Sequence, residues 1–250
     1  MNTFRSSPFS NIPPVVKNLL IINIIFFIAT AIFQSKGISL VELLGVYYFD
    51  SPKFQIWQVV TYMFMHGGFA HILFNMFALY TFGSSLEVIM GSKRFLNFYL
   101  ITGLGALALQ FLVQSVELYT MTGYITNHGN FVINSLNNTI SYNEQLLNEK
   151  QASTILQTYL SPMVGASGAI FGLLIAFGML FPNAELYVML IPVPVKAKFI
   201  IPIYVLLELF LGVAQFSGDS IAHFAHLGGA LFGFILVKIW HLRSPRNFYE

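Results

Sequence analysis

Apolar residues in this chain run in long blocks, without the strict alternation of strands or the narrow stripe of a surface helix. Six blocks stand out, at about 15–33, 70–89, 95–116, 164–181, 199–216 and 220–242, and each holds 18 residues or more. A helix rises about 1.5 Å per residue, so blocks of that length can cross a hydrocarbon core about 30 Å thick. Pro13 and Pro14 suit the entry to the first, because proline lacks the donor that a first helical turn leaves unused. The pattern predicts an all-α polytopic membrane protein, a six-transmembrane-helix bundle forming one membrane domain over residues 1–250.

Two connections are long. Residues 34–69 hold an apolar stretch, 56–65, too short to span, which reads as re-entrant or interfacial. Residues 117–162 are rich in Asn, Thr, Ser and Tyr and read as an extramembrane insertion between helices three and four. Its last part predicts an amphipathic helix, since Ala152, Ile155, Leu156 and Tyr159 share one face. Neither an internal repeat nor a soluble domain is visible.

Composition agrees with this picture. Hydrophobic residues make up 56% and charged residues 9%, against about 25% charged in ordinary soluble domains. The absence of cysteine excludes disulfides and thiolate chemistry, and a net charge of +2 gives no footing for nucleic acid. Because five further spans follow, the first block reads as a retained helix rather than a signal peptide. With a cytoplasmic N-terminus, Arg5, Lys17, Lys93, Arg94, Lys196, Lys198, Lys238, Arg243 and Arg246 fall inside, and Lys36, Lys53 and Lys150 outside. By the positive-inside rule that bias places both termini in the cytoplasm. No organelle-targeting feature is evident, which points to a bacterial plasma membrane.

Ionisable residues within membrane spans are costly, so each is a functional hypothesis. Here they are His66, His71, Glu87, Glu208, His223 and His226, with Asn75 and Ser167 as the notable neutral polar residues. His71 and Asn75 share a face of the second helix, four residues apart. Ser167 opens the fourth helix within Gly165-Ala166-Ser167-Gly168, and His226 follows Asp219 by seven residues, about 10 Å into the sixth. Helices two, four and six run in the same direction, so these clusters converge on one shallow layer near the outer face. Gly168 and Gly172, like Gly229 and Gly233, are four apart, a spacing that lets membrane helices pack closely. A contact between helices four and six would bring His226 towards Ser167.

A serine hydroxyl is a poor nucleophile until a base takes its proton, and an imidazole suits that role. No carboxylate is placed to complete a triad. Asp219 is a loop residue, and Glu87 lies about 24 Å below His71 along its helix. As a separate matter, Glu208 sits mid-span on helix five without an evident partner. The reading is therefore a Ser167–His226 dyad. His71 and Asn75 would donate to the oxyanion, with the Ser167 amide beside Gly168 as a third donor. His66 reads as a support for the loop-to-helix junction, His223 as lining the same cavity, and Glu87 as a helix-end hydrogen-bonding group. Glu208 is either a buried hydrogen-bonded group or part of a proton path.

Taken together, His66, His71 and Asn75 (H-x4-H-x3-N), Glu87, Gly165-Ala166-Ser167-Gly168 and Ala225-His226-x-x-Gly229-x-x-x-Gly233 resemble the rhomboid intramembrane proteases. The resemblance runs in order from about Trp57 to Gly233. It implies a six-helix fold with serine on the fourth helix and histidine on the sixth, and Phe171 packed on the His226 ring. It further implies a structured lateral loop over 34–69 and a mobile cap before Ser220. Its expected activity is cleavage of the transmembrane segments of membrane-protein substrates near the outer face, without metal or nucleotide. The chain departs from the family where Trp57 is followed by Gln58 instead of arginine, and its 117–162 insertion is longer than in compact bacterial members.

Rival readings come from other classes. A catalytically inactive rhomboid-like protein would bind transmembrane segments without cutting them, though such proteins typically lose the serine or the histidine. A zinc protease built on the histidines would lack H-E-x-x-H and leave Ser167 unexplained. A small transporter asks for ion-coordinating residues near the midplane, where only Glu208 lies.

Overall fold

The computed structural model describes residues 12–187, 193–214 and 222–243. Arg5, Phe216, Asp219, Ser220 and Arg246, on which parts of the expected topology and depth rest, lie outside the described residues, as does the cap segment before Ser220.

Helix α1 (Pro14–Gln34) starts at the expected proline pair, with Pro13 at its N-cap. Its first free amides find a partner from another helix. Val15 and Val16 donate to the Glu87 carboxylate at 3.0 and 2.8 Å, and Ser92 Oγ donates to it at 2.7 Å. A carboxylate there satisfies orphan donors and complements the helix dipole. Glu87 thus caps a helix end, but that of α1.

The connection after α1 is folded. It carries α2 (Leu40–Leu44), α3 (Gln58–Thr61) and a 3-10 turn, Tyr62–Phe64. Gln58 stitches it from within: its Oε1 accepts the Gln55 amide at 3.0 Å, while its Nε2 donates to the Lys53 and Leu43 carbonyls at 3.3 and 3.4 Å. The Trp57 indole donates to the same Leu43 carbonyl at 3.1 Å.

Helix α4 (Phe69–Ala78) continues through a π turn at Leu79–Gly83 into α5 (Ser84–Met90). After the turn at Gly91 comes α6 (Ser92–Thr122), which runs six residues beyond the expected end at 116 and stops at left-handed Gly123. Strands β1 (Phe131–Asn134) and β2 (Thr139–Tyr142) pair antiparallel, with Phe131 opposite Tyr142. The amphipathic helix expected late in the insertion is α7 (Glu149–Leu160), whose capping box joins Asn148 and Gln151. It buries Ile155 and Tyr159 against Tyr48, Leu118, Phe131 and Leu147.

Helix α8 (Ser167–Leu180) lies at the centre, buried among side chains of α1, α4–α6, α9 and α10. It is followed by the short pair β3 (Glu185–Leu186) and β4 (Val195–Lys196), then α9 (Ala197–Ala214), with Pro202 inside it, and α10 (His223–Ile239). The fold is mostly helical. Among the described residues, four helical stretches are long and apolar enough to cross a membrane: Pro14–Gln34, Phe69–Met90, Ser92–Thr122 and Ala197–Ala214. Helices α8 and α10 are apolar but shorter.

The expected fourth span, 164–181, therefore loses its first turn, and the cause is local. Met163 and Val46 exchange amide hydrogen bonds at 2.8 and 2.9 Å, and the Gly165 amide donates to the Tyr62 carbonyl at 2.9 Å. Gly165 holds φ at +131°, a conformation that L side chains rarely adopt and no helix contains. The backbone is committed to the folded loop until Ala166, so the helix begins at the serine.

Candidate active site

Ser167 is the first residue of α8, where the leading amides of the helix have no partner within it. Helix α10 approaches this end unusually closely. A β-carbon on Gly229 would lie 1.8 Å from the Gly168 carbonyl oxygen, so the two backbones are in contact there. His226 stands one turn before Gly229 on the same stripe, and that contact delivers its ring to the serine. His226 Nε2 and Ser167 Oγ are 2.8 Å apart, a hydrogen bond between two half-buried side chains. Phe171, one turn into α8, stacks flat on the imidazole, with ring centroids 4.4 Å apart and planes 8° from parallel. Tyr204 of α9 backs Phe171 at 5.1 Å.

The far side of the ring corrects an expectation. Glu208 does have partners: His226 Nδ1 donates to its Oε2 at 2.9 Å, and His223 Nδ1 donates to the same oxygen at 2.6 Å. A carboxylate is thus in line with the histidine and the serine, where none was expected. Chain proximity had pointed only to Asp219 and Glu87. Glu208 comes instead from α9, whose buried stripe of Ala197, Ile201, Glu208 and Gly212 faces inward. Gly212, one turn beyond Glu208, lets α9 close on α10, since a β-carbon there would meet His223 Cβ at 3.2 Å. The readable signal was an acidic residue on the same face as a small one. Which helix that face would meet was not in the sequence.

Glu208, His223 and His226 also form the one group of metal-ligating side chains found among the described residues. Their separations of 2.6 and 2.9 Å are hydrogen-bond distances. Ligand atoms around a tetrahedral zinc at about 2.0–2.1 Å would stand roughly 3.3 Å apart. The arrangement fits shared protons, not a shared cation.

Across from the histidine, Gly165 forms the floor. A β-carbon on it would lie 2.9 Å from His71 Nε2 and 3.4 Å from Ser167 Oγ, so both atoms border one small space. The His71 Nδ1 accepts the Gly67 amide at 3.4 Å, which leaves Nε2 as the protonated nitrogen facing that space. Asn75, one turn on, is buried, and its Nδ2 has no hydrogen-bond partner among the described residues. His66 is buried edge-on to His71, with centroids 5.1 Å apart. Gly233 repeats the Gly229 contact one turn later, where a β-carbon would lie 2.7 Å from the Gly172 backbone. Gly168 points its missing side chain towards Ala106 on α6 instead. The structure thus gathers Ser167, His226, His71, Gly165 and Phe171 around one point and adds Glu208 and His223.

A family model described as the rhomboid domain matches residues 53–243 of this chain. The chain belongs to the rhomboid family. Its apolar helices accordingly make it an integral membrane protein, with a rhomboid domain set in a bilayer. Rhomboid-like protein 11 of Arabidopsis thaliana, chloroplastic by name, is 27% identical over 227 residues, covering 88% of this chain and 62% of the relative. An uncharacterized mitochondrial rhomboid protein of Schizosaccharomyces pombe is 26% identical over 209 residues, covering 75% of this chain and 52% of the relative. The rhomboid protein YdcA of Bacillus subtilis is 27% identical over 194 residues, or 77% of this chain and 71% of the relative. The chain therefore spans only part of the length of the first two. Relatives named for two organelles and a bacterium give no support to a bacterial plasma membrane in particular.

Proposed function

We propose that this rhomboid-family chain is an intramembrane serine endopeptidase that cuts transmembrane segments of membrane-protein substrates. The observation that carries the reading is the 2.8 Å hydrogen bond between Ser167 Oγ and His226 Nε2, in a family whose members are generally intramembrane serine proteases. A substrate segment unwinds locally, because an intact helix hides its carbonyls in internal hydrogen bonds. Ser167 Oγ attacks the exposed carbonyl carbon while its proton passes to His226 Nε2. The oxyanion is met by His71 Nε2–H, Asn75 Nδ2–H and the free amides at the start of α8. The imidazolium then protonates the leaving amine, and water hydrolyses the acyl-enzyme by the same route in reverse.

In this reading α8 and α10 count as the fourth and sixth spans, giving six with both termini cytoplasmic and the site near the outer face. A helix enclosed by others need not match the lipid thickness.

The test is labelling by a serine-directed fluorophosphonate, together with cleavage of a transmembrane reporter. The expected outcome is labelling and cleavage by the native protein and loss of both in Ser167→Ala and His226→Ala. Equal labelling of all three sinks the proposal. A protein that captures the reporter yet neither labels nor cuts would be the inactive, segment-binding kind.

A further inference from the structure

We propose that Glu208 is a positioning residue for the reaction: its carboxylate orients His226 and steadies the imidazolium, in competition with His223. This rests on the protease reading above and names a group that the serine–histidine pair alone leaves out. Glu208 is buried, with its side chain 5% exposed, and a single oxygen of it receives two ring N–H groups. Donation from His226 Nδ1 fixes the tautomer, so that Nε2 presents a lone pair to the Ser167 hydroxyl. The ring is then held on its face by Phe171 and on its edge by Glu208.

When Ser167 Oγ bonds to the substrate carbonyl carbon, its proton moves to Nε2 and the ring becomes cationic. The Nδ1 proton stays where it is, and the carboxylate balances the new charge without being protonated. As the peptide C–N bond breaks, the Nε2 proton leaves with the amine. His223 draws on the same oxygen, so it divides the influence of Glu208 between two rings. Among the described residues, the groups facing His226 are Ser167 on α8, Glu208 on α9, His223 on α10 and His71 on α4, with Tyr204 of α9 beside Glu208.

A purely structural clamp between α9 and α10 would use the same hydrogen bonds, so the experiment must read more than activity. In the full chain, Glu208→Gln, Glu208→Asp and His223→Leu are compared for kcat and KM on a transmembrane reporter across pH, and for thermal melting. Glu208→Gln is expected to lower kcat by about 10²–10⁴-fold with KM nearly unchanged. It should also move the acid limb of the pH profile to lower pH, because an imidazole without its carboxylate loses its proton more readily. Glu208→Asp recovers part of the rate. His223→Leu moves the acid limb the other way, since Glu208 then serves His226 alone, and that shift decides the matter should Glu208→Gln fail to fold.

An unmoved limb in both variants overturns the proposal in favour of a clamp. A rate that follows zinc and chelator overturns it in favour of a metal site. The protease reading fails separately, on a Ser167→Ala protein that still cuts.

Discussion

Asn75 carries a buried amide nitrogen without a partner among the described residues, one turn from the His71 ring that faces Ser167. An unsatisfied buried donor costs about 1–3 kcal/mol, and in the proposed reaction an oxyanion is the acceptor such a donor lacks. Asn75→Ala is therefore expected to lower kcat by about 10²–10³-fold while the melting temperature holds or rises. His71→Ala should lower kcat similarly. A fall in melting temperature that parallels the loss of rate would make Asn75 a packing residue instead. At this scale much was legible in the chain: Ser167, His226 and His71 stood out because polar groups in apolar helices at a common depth have few other uses. Glu208 stood out as well, yet its partners did not. They depend on the rotation of α9 about its axis, which Gly212 sets by its fit against His223.

Helices α8 and α10 meet through backbone, and the Ser167–His226 distance depends on that contact. A β-carbon on Gly229 would stand 1.8 Å from the Gly168 carbonyl oxygen, a backbone atom that cannot swing aside as a flexible side chain can. The helices must part to admit it. Gly229→Ala is expected to cost about 3 kcal/mol or more, the upper end for overpacking, and to open the His226–Ser167 hydrogen bond. Thermal melting and probe labelling check both, and a variant that melts and labels like the native protein would contradict the close approach. Apolar blocks marked the stretches where the described helices lie, because burial in lipid demands length, but not their ends: α6 runs six residues past its block. The shortened start of α8 was not legible. Nothing in Val164-Gly165-Ala166 announces that Gly165 will donate to Tyr62, a long-range pairing that overrides the local apolar run.

Across the whole molecule, the loop after α1 and the insertion before α8 fold as one unit that ends at the serine. The Asp50 carboxylate accepts the Asn127 amide and the Tyr159 hydroxyl at 2.7 Å each, and Tyr48 OH donates to the Ile125 carbonyl at 2.7 Å. Three sequence-distant segments are tied by these bonds to the Val46–Met163 bridge. The insertion read as polar and extramembrane, but its partner could not be read, because a tyrosine hydroxyl does not announce which carboxylate it will meet. Tyr159 has its pKa raised by burial first and then by the Asp50 hydrogen bond and charge. A phenol whose pKa rises on folding contributes stability that is full below its unfolded value of about 10 and is lost as pH climbs through the folded value. Tyr159→Phe is therefore expected to lower stability by about 1.5–3 kcal/mol near neutral pH, the range for a hydrogen bond to a charged group. The gap in melting temperature between native and variant should stay constant from pH ~7 to ~9 and narrow above ~10. Melting curves for the two proteins over that range decide it. A gap that widens in alkali would mean that the Tyr159 proton does not hold the insertion to the loop.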